Sequence, residues 1–510
     1  MSEPSKGTPR RKCSRRDPAR GSTDRERALE PVIGLEIHAQ LLTATKIFCG
    51  CSTRFGAAPN AQVCPVCLGL PGALPVLNRR AVEFAVRASH ALGCTVHATS
   101  IFARKNYFYP DLPKGYQISQ YERPLATDGA LEYEGADGPR RVRILRVHME
   151  EDAGKSLHEG FPDSDRFTYL DFNRSGVPLI EIVTRPDLRS AADAAEFFSR
   201  LRAILVSLGV NDGNMEEGSL RCDANVSVRP AGEDALGVKT EVKNLNSFRH
   251  VQRALEYEIE RHIGVLRAGG TIDQETRLWD NASGRTIIMR GKEEAHDYRY
   301  FPEPDLPPLQ LDPAWIEEIR AALPELPDAR RRRFVSQYAI PEYDARVLTQ
   351  SMELAQYFEA TAAACGNAKA ASNWIMGELT RRLNEDGTDI TAVPLGPDRL
   401  AGLIQLVDSG TISGPIAKEV FEKIYASGRT AAEVVEREGL ARIDDESAVA
   451  EAVRAVIAAH PGPVGQYRAG KQQTFGFLVG QVMKATKGKA NPALVNGVLR
   501  RTLNDPVGGA

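Results

Sequence analysis

The chain has 510 residues, of which 42% are hydrophobic and 26% charged, and its formal net charge at pH 7 is −2. This length predicts several domains, roughly three or four, with cores of ordinary globular composition. A charge so near zero argues against a simple basic nucleic-acid binder. The absence of any run of about 18 apolar residues argues against a transmembrane helix. Eight cysteines in so long a chain do not indicate a secreted disulfide framework, so we expect a reducing compartment and a cytoplasmic protein.

Residues 1–29 are polar, rich in Arg and Lys, and contain no apolar segment of the kind found in a signal peptide. We interpret them as a disordered basic extension. A mitochondrial transit peptide is an alternative, but Asp17, Asp24 and Glu26 count against it because such peptides are poor in acidic residues.

Ordered structure is predicted to begin at residue 31, where polar and apolar residues alternate to residue 42. This alternation places Glu36, His38 and Gln40 on one face of a strand. Such a face is either exposed to solvent or the floor of a site.

Four cysteines form two close pairs, Cys49-Gly-Cys51 and Cys64-Pro-Val-Cys67, separated by twelve residues. Tetrahedral Zn²⁺ accepts four thiolates from two such pairs. We predict a structural Zn²⁺ that holds the loop 49–67, because four protein ligands leave no open position for chemistry. The alternative is a group of thiols without a metal.

The segment 146–156 carries the densest group of reactive side chains, with His148, Glu150, Glu151 and Asp152 in sequence. The preceding residues alternate as in a strand, so His148 and Glu150 should lie on one face and Glu151 on the other. Crowded carboxylates are costly unless a positive charge lies among them. Mg²⁺ is a natural candidate because it binds carboxylate and phosphate oxygens; a solvated acidic turn is the alternative.

Further strands with one polar face follow, and helices are predicted near residues 79–92, 191–208 and 247–268, each followed by glycine. Together they suggest an antiparallel sheet with a concave, ligand-binding side. The polar strand positions include Glu181, Arg221, Asp223, Asn225, Ser227, Glu241 and Lys243.

Two segments, 104–120 and 296–305, are predicted to be loops that mix aromatic, basic and acidic residues. Lone aromatic residues usually serve packing. Here Arg104, Lys105 and Lys114 lie beside several tyrosines, and together they could hold phosphates and stack on a base.

The C-terminal part changes character after a proline-rich stretch at residues 302–327, which we interpret as a linker. Helices are predicted at 330–336, 344–365 and 368–384, with a second break at 384–394. Residues 452–504 contain no Asp or Glu. This composition favours a surface that contacts nucleic acid; the alternative is a lysine-rich helical face exposed to solvent. The basic residues there include Arg468, Lys471, Lys484, Lys487 and Lys489.

The chain has no complete P-loop, no G-x-S-x-G nucleophile elbow and no dinucleotide fingerprint. Nucleotide chemistry would therefore require a carboxylate-held metal and scattered basic residues.

Six long motifs resemble the B subunits of the aspartyl/glutamyl-tRNA(Asn/Gln) amidotransferases, the GatB/GatE family, and the resemblance covers residues 31 to 504. It implies an α+β fold. An antiparallel-sheet cradle domain similar to glutamine synthetase and guanidino kinases would span residues 30–305. A linker and helical domain would span 306–394, and a helical, tRNA-binding tail 395–507. The motifs are 32–38, 104–111, 148–155, 215–225, 297–305 and 476–492.

The resemblance also implies an activity and partners. A heterotrimer of this chain with two partners, a glutaminase and a small third subunit, would amidate Glu-tRNA(Gln), Asp-tRNA(Asn) or both. ATP would phosphorylate the side-chain carboxylate, and ammonia from the glutaminase would replace the phosphate. A rival from another class is a non-catalytic scaffold that only presents tRNA, which would not explain carboxylates and histidine on several strand faces.

Carried onto this chain, the resemblance implies catalytic residues His38, Glu150 and Glu151. It implies a Mg²⁺ site at His38, Glu151 and Glu181, with Glu36 and Glu150 as alternative ligands. We assign nucleotide phosphates to Arg104, Lys105, Arg221 and Lys243. The cysteines resemble a zinc site found in only part of the family, so the zinc is expected to be structural.

Overall fold

The structure of the protein is a computed structural model that describes residues 28–135, 138–290, 298–443, 445–486 and 488–504. The chain divides into two compact units, Met1–Leu326 and Pro327–Ala510. Most of the predicted extension 1–29 lies outside the described residues. Its last residue, Leu29, already belongs to the first strand. No described helix combines the length and the apolar character needed to span a membrane.

The first unit contains the strands. In chain order they are β1 (Leu29–Gln40), β2 (Thr95–Val96), β3 (Thr99–Ser100), β4 (Ala103–Asn106), β5 (Tyr116–Ser119), β6 (Ala126–Gly135), β7 (Gly138–Glu151), β8 (Lys155–Leu157), β9 (Tyr169–Asp171), β10 (Pro178–Thr184), β11 (Leu220–Pro230), β12 (Thr240–Leu245), β13 (Glu275–Asp280), β14 (Arg285–Arg290), β15 (Phe301–Pro302) and β16 (Leu309–Gln310).

Within the described part of the chain, nine strands form one large sheet in the order β14-β13-β12-β11-β1-β10-β7-β6-β2. The α+β class is confirmed. Neighbouring strands of this sheet are antiparallel, as predicted, except that β12 and β13 run parallel. The parallel pair is possible because helix Phe248–Arg267 connects the two strands and reverses the chain direction.

Helices Arg79–Ala91, Ala191–Ser207, Phe248–Arg267 and Pro313–Ala321 belong to the same unit. The first three confirm the predicted segments. Ser190 and Ser247 cap two of them through their side chains, and Gly209, which follows the first of these two, has a φ of +64°. These helices pack on apolar strand residues such as Ile37, so one face of the sheet is core and the other is polar.

The predicted loop 104–120 is in part regular structure. Strands β4 and β5 pair antiparallel, and β15 adds to β4 to form a three-stranded sheet. Glycine and proline in the intervening residues suggested a loop, but the pairing with β15 is between distant residues and left no local pattern. The second predicted loop begins at His296 and Asp297, which lie outside the described residues.

The first unit ends at Leu326, beyond the predicted boundary at residue 305. The reason is that Leu311 and Ile319 are buried in the same core as the sheet and its helices. Part of the proline-rich stretch is therefore helix Pro313–Ala321, which Asp312 caps, with proline in the first turn.

The second unit is helical and has two cores. One gathers residues from Phe334 to Leu440 and the other residues from Val449 to Leu503. This division differs from the predicted one at residues 394/395, because helices 397–408, 414–427 and 431–437 pack into the first of the two cores.

The helices of the second unit are Pro327–Tyr338, Glu342–Leu348, Met352–Cys365, Ala368–Trp374, a π-turn Ile375–Leu379, Thr380–Asp386, a 3₁₀ turn Ile390–Ala392, Pro397–Asp408, Gly414–Ser427, Ala431–Arg437, Glu446–Ala459, Pro461–Arg468, Gln473–Ala485 and Pro492–Asn504. The predicted helix 344–365 is two helices, because the chain breaks near Thr349 and Ser351 caps the second one.

Candidate functional site

A row of polar side chains crosses four neighbouring strands of the large sheet. His38 of β1 is opposite Glu181 of β10, and Glu181 is in turn opposite His148 of β7. On the other side of β1, Arg221 of β11 is opposite His38. Directly opposite residues project to the same face of a sheet, so the register alone brings these four side chains together.

Glu150, two residues beyond His148 on the same strand face, completes a compact cluster. Nε2 of His38 lies 3.4 Å from a Glu181 carboxylate oxygen and 3.7 Å from one of Glu150. One nitrogen or oxygen atom from each of these three residues lies within 4.8 Å of the others. Two carboxylates and an imidazole facing one point are a donor set that fits a divalent cation.

The carboxylates and histidines of the cluster shift one another's pKa. Burial would lower the pKa of His148, but Glu181 and Glu150 outweigh it and raise that pKa to about 9. The pKa of Glu181 is held well below its ordinary range, against the effect of burial, by His148 and His38. The buried carboxylates therefore stay ionised with the histidines as their counter-charges, and a metal bound at His38 would take the place of a proton on its imidazole.

Glu151 does not join the cluster. Its carboxylate lies on the opposite face of β7, where it pairs with Lys114 and accepts a hydrogen bond of 2.9 Å from the backbone of Ile118. Alternation along the strand separates it from Glu150. The geometry therefore puts Glu150, the alternative, in the place assigned to Glu151 as a metal ligand.

His148 is a member of the cluster that the sequence analysis did not assign to a role. It is buried, and its Nε2 lies 3.3 Å from Glu181 and 3.8 Å from Glu150. The signal was present, because His148 shares a strand face with Glu150. Glu36 instead accepts a hydrogen bond of 2.9 Å from Asn225 and lies outside the group that could hold a metal.

A cavity of about 430 Å³ adjoins the cluster and is lined by Lys105, Arg221 and Lys243 together with His38 and Glu150. Nζ of Lys243 lies 2.7 Å from Asp223 and 2.9 Å from Glu241, and Arg221 lies 3.1 Å from Asp152. Burial would lower the pKa of Lys105, but Glu150 is foremost among the groups that raise it. Three of the four predicted phosphate-binding residues thus share one cavity.

Arg104 does not line this cavity. Its guanidinium forms two hydrogen bonds of 2.8 Å to the buried carboxylate of Glu303, contacts Asp305 at 3.2 Å and lies over the ring of Tyr116. Because neighbouring strand residues point to opposite sides, Lys105 faces the cavity and Arg104 faces away.

Asp152 and Arg174 form a linked pair at the cavity wall that no local sequence pattern indicated. Asp152 accepts a hydrogen bond of 2.8 Å from Gln40, and one of its oxygens lies 3.6 Å from Nε of Arg174. Burial would raise the pKa of Asp152, but Arg221 and Arg174 lower it.

The four cysteines of the predicted zinc loop converge. Their sulfur atoms lie within 4.8 Å of one another, and the Cys64 and Cys67 sulfurs are 3.9 Å apart. A hydrogen bond from Cys49 is the main cause that lowers the pKa of Cys67 to about 4. Four converging sulfurs, with one thiol already poised to ionise, fit tetrahedral Zn²⁺.

The predicted tRNA-binding residues of the tail differ in exposure, and two of them donate hydrogen bonds to backbone carbonyls. Arg468, Lys471 and Lys484 are exposed, although Nε of Arg468 donates to the carbonyl of Leu503 at 3.2 Å. Lys489 is half-buried and donates to the carbonyl of Gly439 at 2.7 Å. Lys487 lies outside the described residues.

Comparison with known proteins decides the family. The family model described as the GatB/GatE catalytic domain matches residues 31–317, and the one described as the GatB domain matches residues 356–503. The chain belongs to the GatB/GatE family. The first match covers the sheet, the cluster and the cysteine loop, and the second covers most of the helical unit.

Curated relatives of this GatB/GatE chain are named as the B subunits of aspartyl/glutamyl-tRNA(Asn/Gln) amidotransferases. The protein of Geotalea uraniireducens is 56% identical over 473 residues, which is 93% of this chain and 99% of the relative. That of Chlorobium limicola is 56% identical over 475 residues, with the same coverage. That of Geobacter sulfurreducens is 55% identical over 474 residues, again with 93% and 99% covered.

Proposed function

We propose that this chain is the amide-forming subunit of a tRNA-dependent amidotransferase, a carbon–nitrogen ligase that acts on Glu-tRNA(Gln), Asp-tRNA(Asn) or both. ATP phosphorylates the side-chain carboxylate, and ammonia then displaces the phosphate. A partner glutaminase supplies the ammonia, and the heterotrimer is completed by a small third subunit. The names of the relatives and the family of the chain support the reaction class.

The observation that carries the proposal is the cluster of half-buried His38 with buried Glu150 and Glu181 beside a basic cavity. We assign a Mg²⁺ site to these three residues. A divalent metal bound there would neutralise phosphate charge during phosphoryl transfer. His148 contacts both carboxylates of the set and would orient them toward a bound metal.

Lys105, Arg221 and Lys243 are proposed to bind the nucleotide phosphates. Arg221 and Lys243 are held by Asp152, Asp223 and Glu241, so their charges are already in place before a substrate arrives. Fixed positive charges of this kind stabilise phosphoryl transfer without reorganisation during the reaction. Arg104 is left out, because it does not line this cavity and its guanidinium contacts Glu303 and Asp305 on the other side of the strand.

The reaction balances without an amidase nucleophile in this chain. An oxygen of the substrate carboxylate attacks the γ-phosphorus of ATP, and the bond to ADP breaks. The nitrogen of ammonia then attacks the acyl carbon, inorganic phosphate leaves, and the nitrogen loses one proton to form the amide.

We assign the cysteine loop 49–67 to structural Zn²⁺ and tRNA binding to the helices of residues 446–504. Arg468, Lys471 and Lys484 are the exposed bases that support the tRNA assignment. Lys489 supports it less, since its ammonium is bonded to the carbonyl of Gly439.

A Glu181→Gln variant tests the catalytic assignment against the scaffold alternative. In the assembled complex with ATP and ammonium, we expect amidation to fall by roughly 100-fold while tRNA affinity is unchanged. Glu132→Gln, at an exposed ion pair on β6, is the matched control. A Glu181→Gln complex that amidates normally would contradict the catalytic assignment and favour the scaffold alternative.

A further inference from the structure

The cysteine loop 49–67 is bound along the segment 170–176, which leads into β10. Asn60 donates from Nδ2 to the carbonyl of Leu170 at 2.8 Å and accepts from the backbone of Phe172 at 2.8 Å. Asn173 accepts from the backbone of Gln62 at 2.8 Å and donates to the carbonyl of Ala58 at 2.7 Å. Loop and segment are thus joined by reciprocal side-chain bonds from both sides.

A buried lysine extends this connection beneath the cysteines. Lys46 is fully buried, and its ammonium donates to the carbonyls of Gln62 at 2.8 Å and Phe172 at 3.2 Å. The hydroxyl of Ser175 donates to the carbonyl of Cys67 at 3.2 Å. The Lys46 ammonium therefore bridges the loop and the segment. Ser175 adds a hydrogen bond to the backbone of Cys67, which is one of the proposed zinc ligands.

Arg174 lies in the middle of the segment that the loop holds. Its Nε donates to the carbonyl of Ala153 at 2.9 Å and its Nη2 to that of Gly154 at 2.6 Å. Its Nη1 has no hydrogen-bond partner within the described part of the chain. Arg174 lines both the 430 Å³ cavity and a second cavity of about 620 Å³, whose wall includes residues 53–57 of the cysteine loop.

We propose that the cysteine loop, closed by its metal, positions Arg174, and that Arg174 binds an oxyanion of the substrate between the two cavities. Asn60 and Asn173 are the positioning residues. The inference rests on the proposed function for the identity of the oxyanion, which is a nucleotide phosphate or the side-chain carboxylate of the aminoacyl-tRNA. The coupling of the loop to Arg174 is independent of it.

The first test measures the coupling without any activity. Hydrogen exchange is followed in the assembled complex with and without a chelator that binds Zn²⁺ far more strongly than Mg²⁺. We expect zinc removal to speed exchange in peptides covering 170–176 while peptides covering β1 are unchanged. Equal exchange at 170–176 in both states would overturn the coupling, whether or not the complex amidates tRNA.

The second test separates positioning from folding. Asn60 has a φ of +59°, so Asn60→Gly deletes both of its side-chain bonds and keeps the left-handed backbone. Asp163→Gly is the matched control, because Asp163 is exposed and also has a positive φ, of 56°. The zinc content of each variant is measured first, and we expect it to equal that of the wild type.

Steady-state kinetics then measure how Arg174 and its positioning residues affect KM and kcat. Arg174→Gln, Asn60→Gly and Asn173→Ala should each raise the same KM by roughly 10-fold with a much smaller change in kcat, and Asp163→Gly should change neither. A raised KM for ATP identifies a phosphate, and a raised KM for aminoacyl-tRNA identifies its carboxylate. The proposal fails if Arg174→Gln changes neither the KM for ATP nor the KM for aminoacyl-tRNA. It also fails if Arg174→Gln raises one of these constants but Asn60→Gly and Asn173→Ala do not.

Discussion

His148 and Glu181 face each other across two antiparallel strands, with Nε2 of the histidine 3.3 Å from a carboxylate oxygen. Both side chains are buried, and the same Nε2 lies 3.8 Å from Glu150. A single imidazole therefore contacts two of the three residues proposed to hold the metal. A ligand's hydrogen-bond partner fixes its orientation and tunes its affinity for metal.

Replacing His148 by Phe should weaken metal binding. The substitution keeps a ring of similar size but removes the contact to Glu150 and Glu181. We expect Mn²⁺ affinity, followed by electron paramagnetic resonance, and the amidation rate each to fall by roughly 10- to 100-fold. His158→Phe, at an exposed position, is the control. Unchanged Mn²⁺ affinity in His148→Phe would contradict the proposed orienting role.

Lys105 and Arg104 should behave differently when replaced by alanine. Lys105→Ala removes a charge from the cavity and should raise the KM for ATP by roughly 10-fold or more. Arg104→Ala leaves the fully buried carboxylate of Glu303 unpaired and should cost about 3 kcal/mol of stability. Kinetics and chemical denaturation of both variants check this. A large effect of Arg104→Ala on the KM for ATP, with normal stability, would restore Arg104 as a nucleotide ligand.

The ionisation of Glu258, which is buried away from the cluster, should make the stability of the protein depend on pH. Burial would raise its pKa, but His262, Arg261 and Thr286 lower it to about 2. A carboxyl group whose pKa is lower in the folded than in the unfolded protein stabilises the fold at any pH above its unfolded pKa. This stabilisation is lost as the pH falls toward the folded-state pKa. Glu258→Gln should therefore cost about 2–3 kcal/mol at pH 7, and the difference from wild type should shrink between pH 5 and pH 2.

Fluorescence of Trp279 can follow this unfolding in a background where Trp315 and Trp374, the other two tryptophans, are phenylalanine. Trp279 is buried in the same unit as Glu258. A difference in stability that stays constant over this pH range would show that the ionised carboxylate does not provide the stabilisation.

Removing the residues after 440 should weaken tRNA binding. The cut falls between the two cores of the helical unit, because the first extends to Leu440 and the second starts at Val449. We expect affinity for tRNA to fall by roughly 10-fold or more and to depend less steeply on salt, since phosphate contacts are lost. ATP hydrolysis at saturating tRNA should be retained. A truncated protein with unchanged tRNA affinity would contradict the assignment of the tail.

Local patterns accounted for much of the fold and of the cluster. Serine caps and terminal glycines marked the helices, and alternation placed His38, Glu181 and Arg221 on polar strand faces. The spacing of the cysteines identified residues that converge in the structure. In each of these cases the signal lies within a few residues of the chain.

Features that depend on distant pairing were not predictable in this way. The choice between Glu150 and Glu151 depends on which face of β7 carries the cluster, and the family resemblance named Glu151, whose carboxylate lies on the other face. The ion pair of Arg104 with Glu303 joins residues 199 positions apart. The end of the first unit depends on Ile319, whose burial no local pattern revealed.

The most direct measurement of the central claim is amidation by the assembled complex with its glutaminase nucleophile inactivated. ATP, Mg²⁺ and ammonium are supplied, with Glu-tRNA(Gln) and Asp-tRNA(Asn) in parallel. We predict amide formation from ammonium on at least one of the two tRNAs, and its loss when Glu181→Gln is introduced. Product that forms only with an intact glutaminase and glutamine would contradict a separate amide-forming site in this chain.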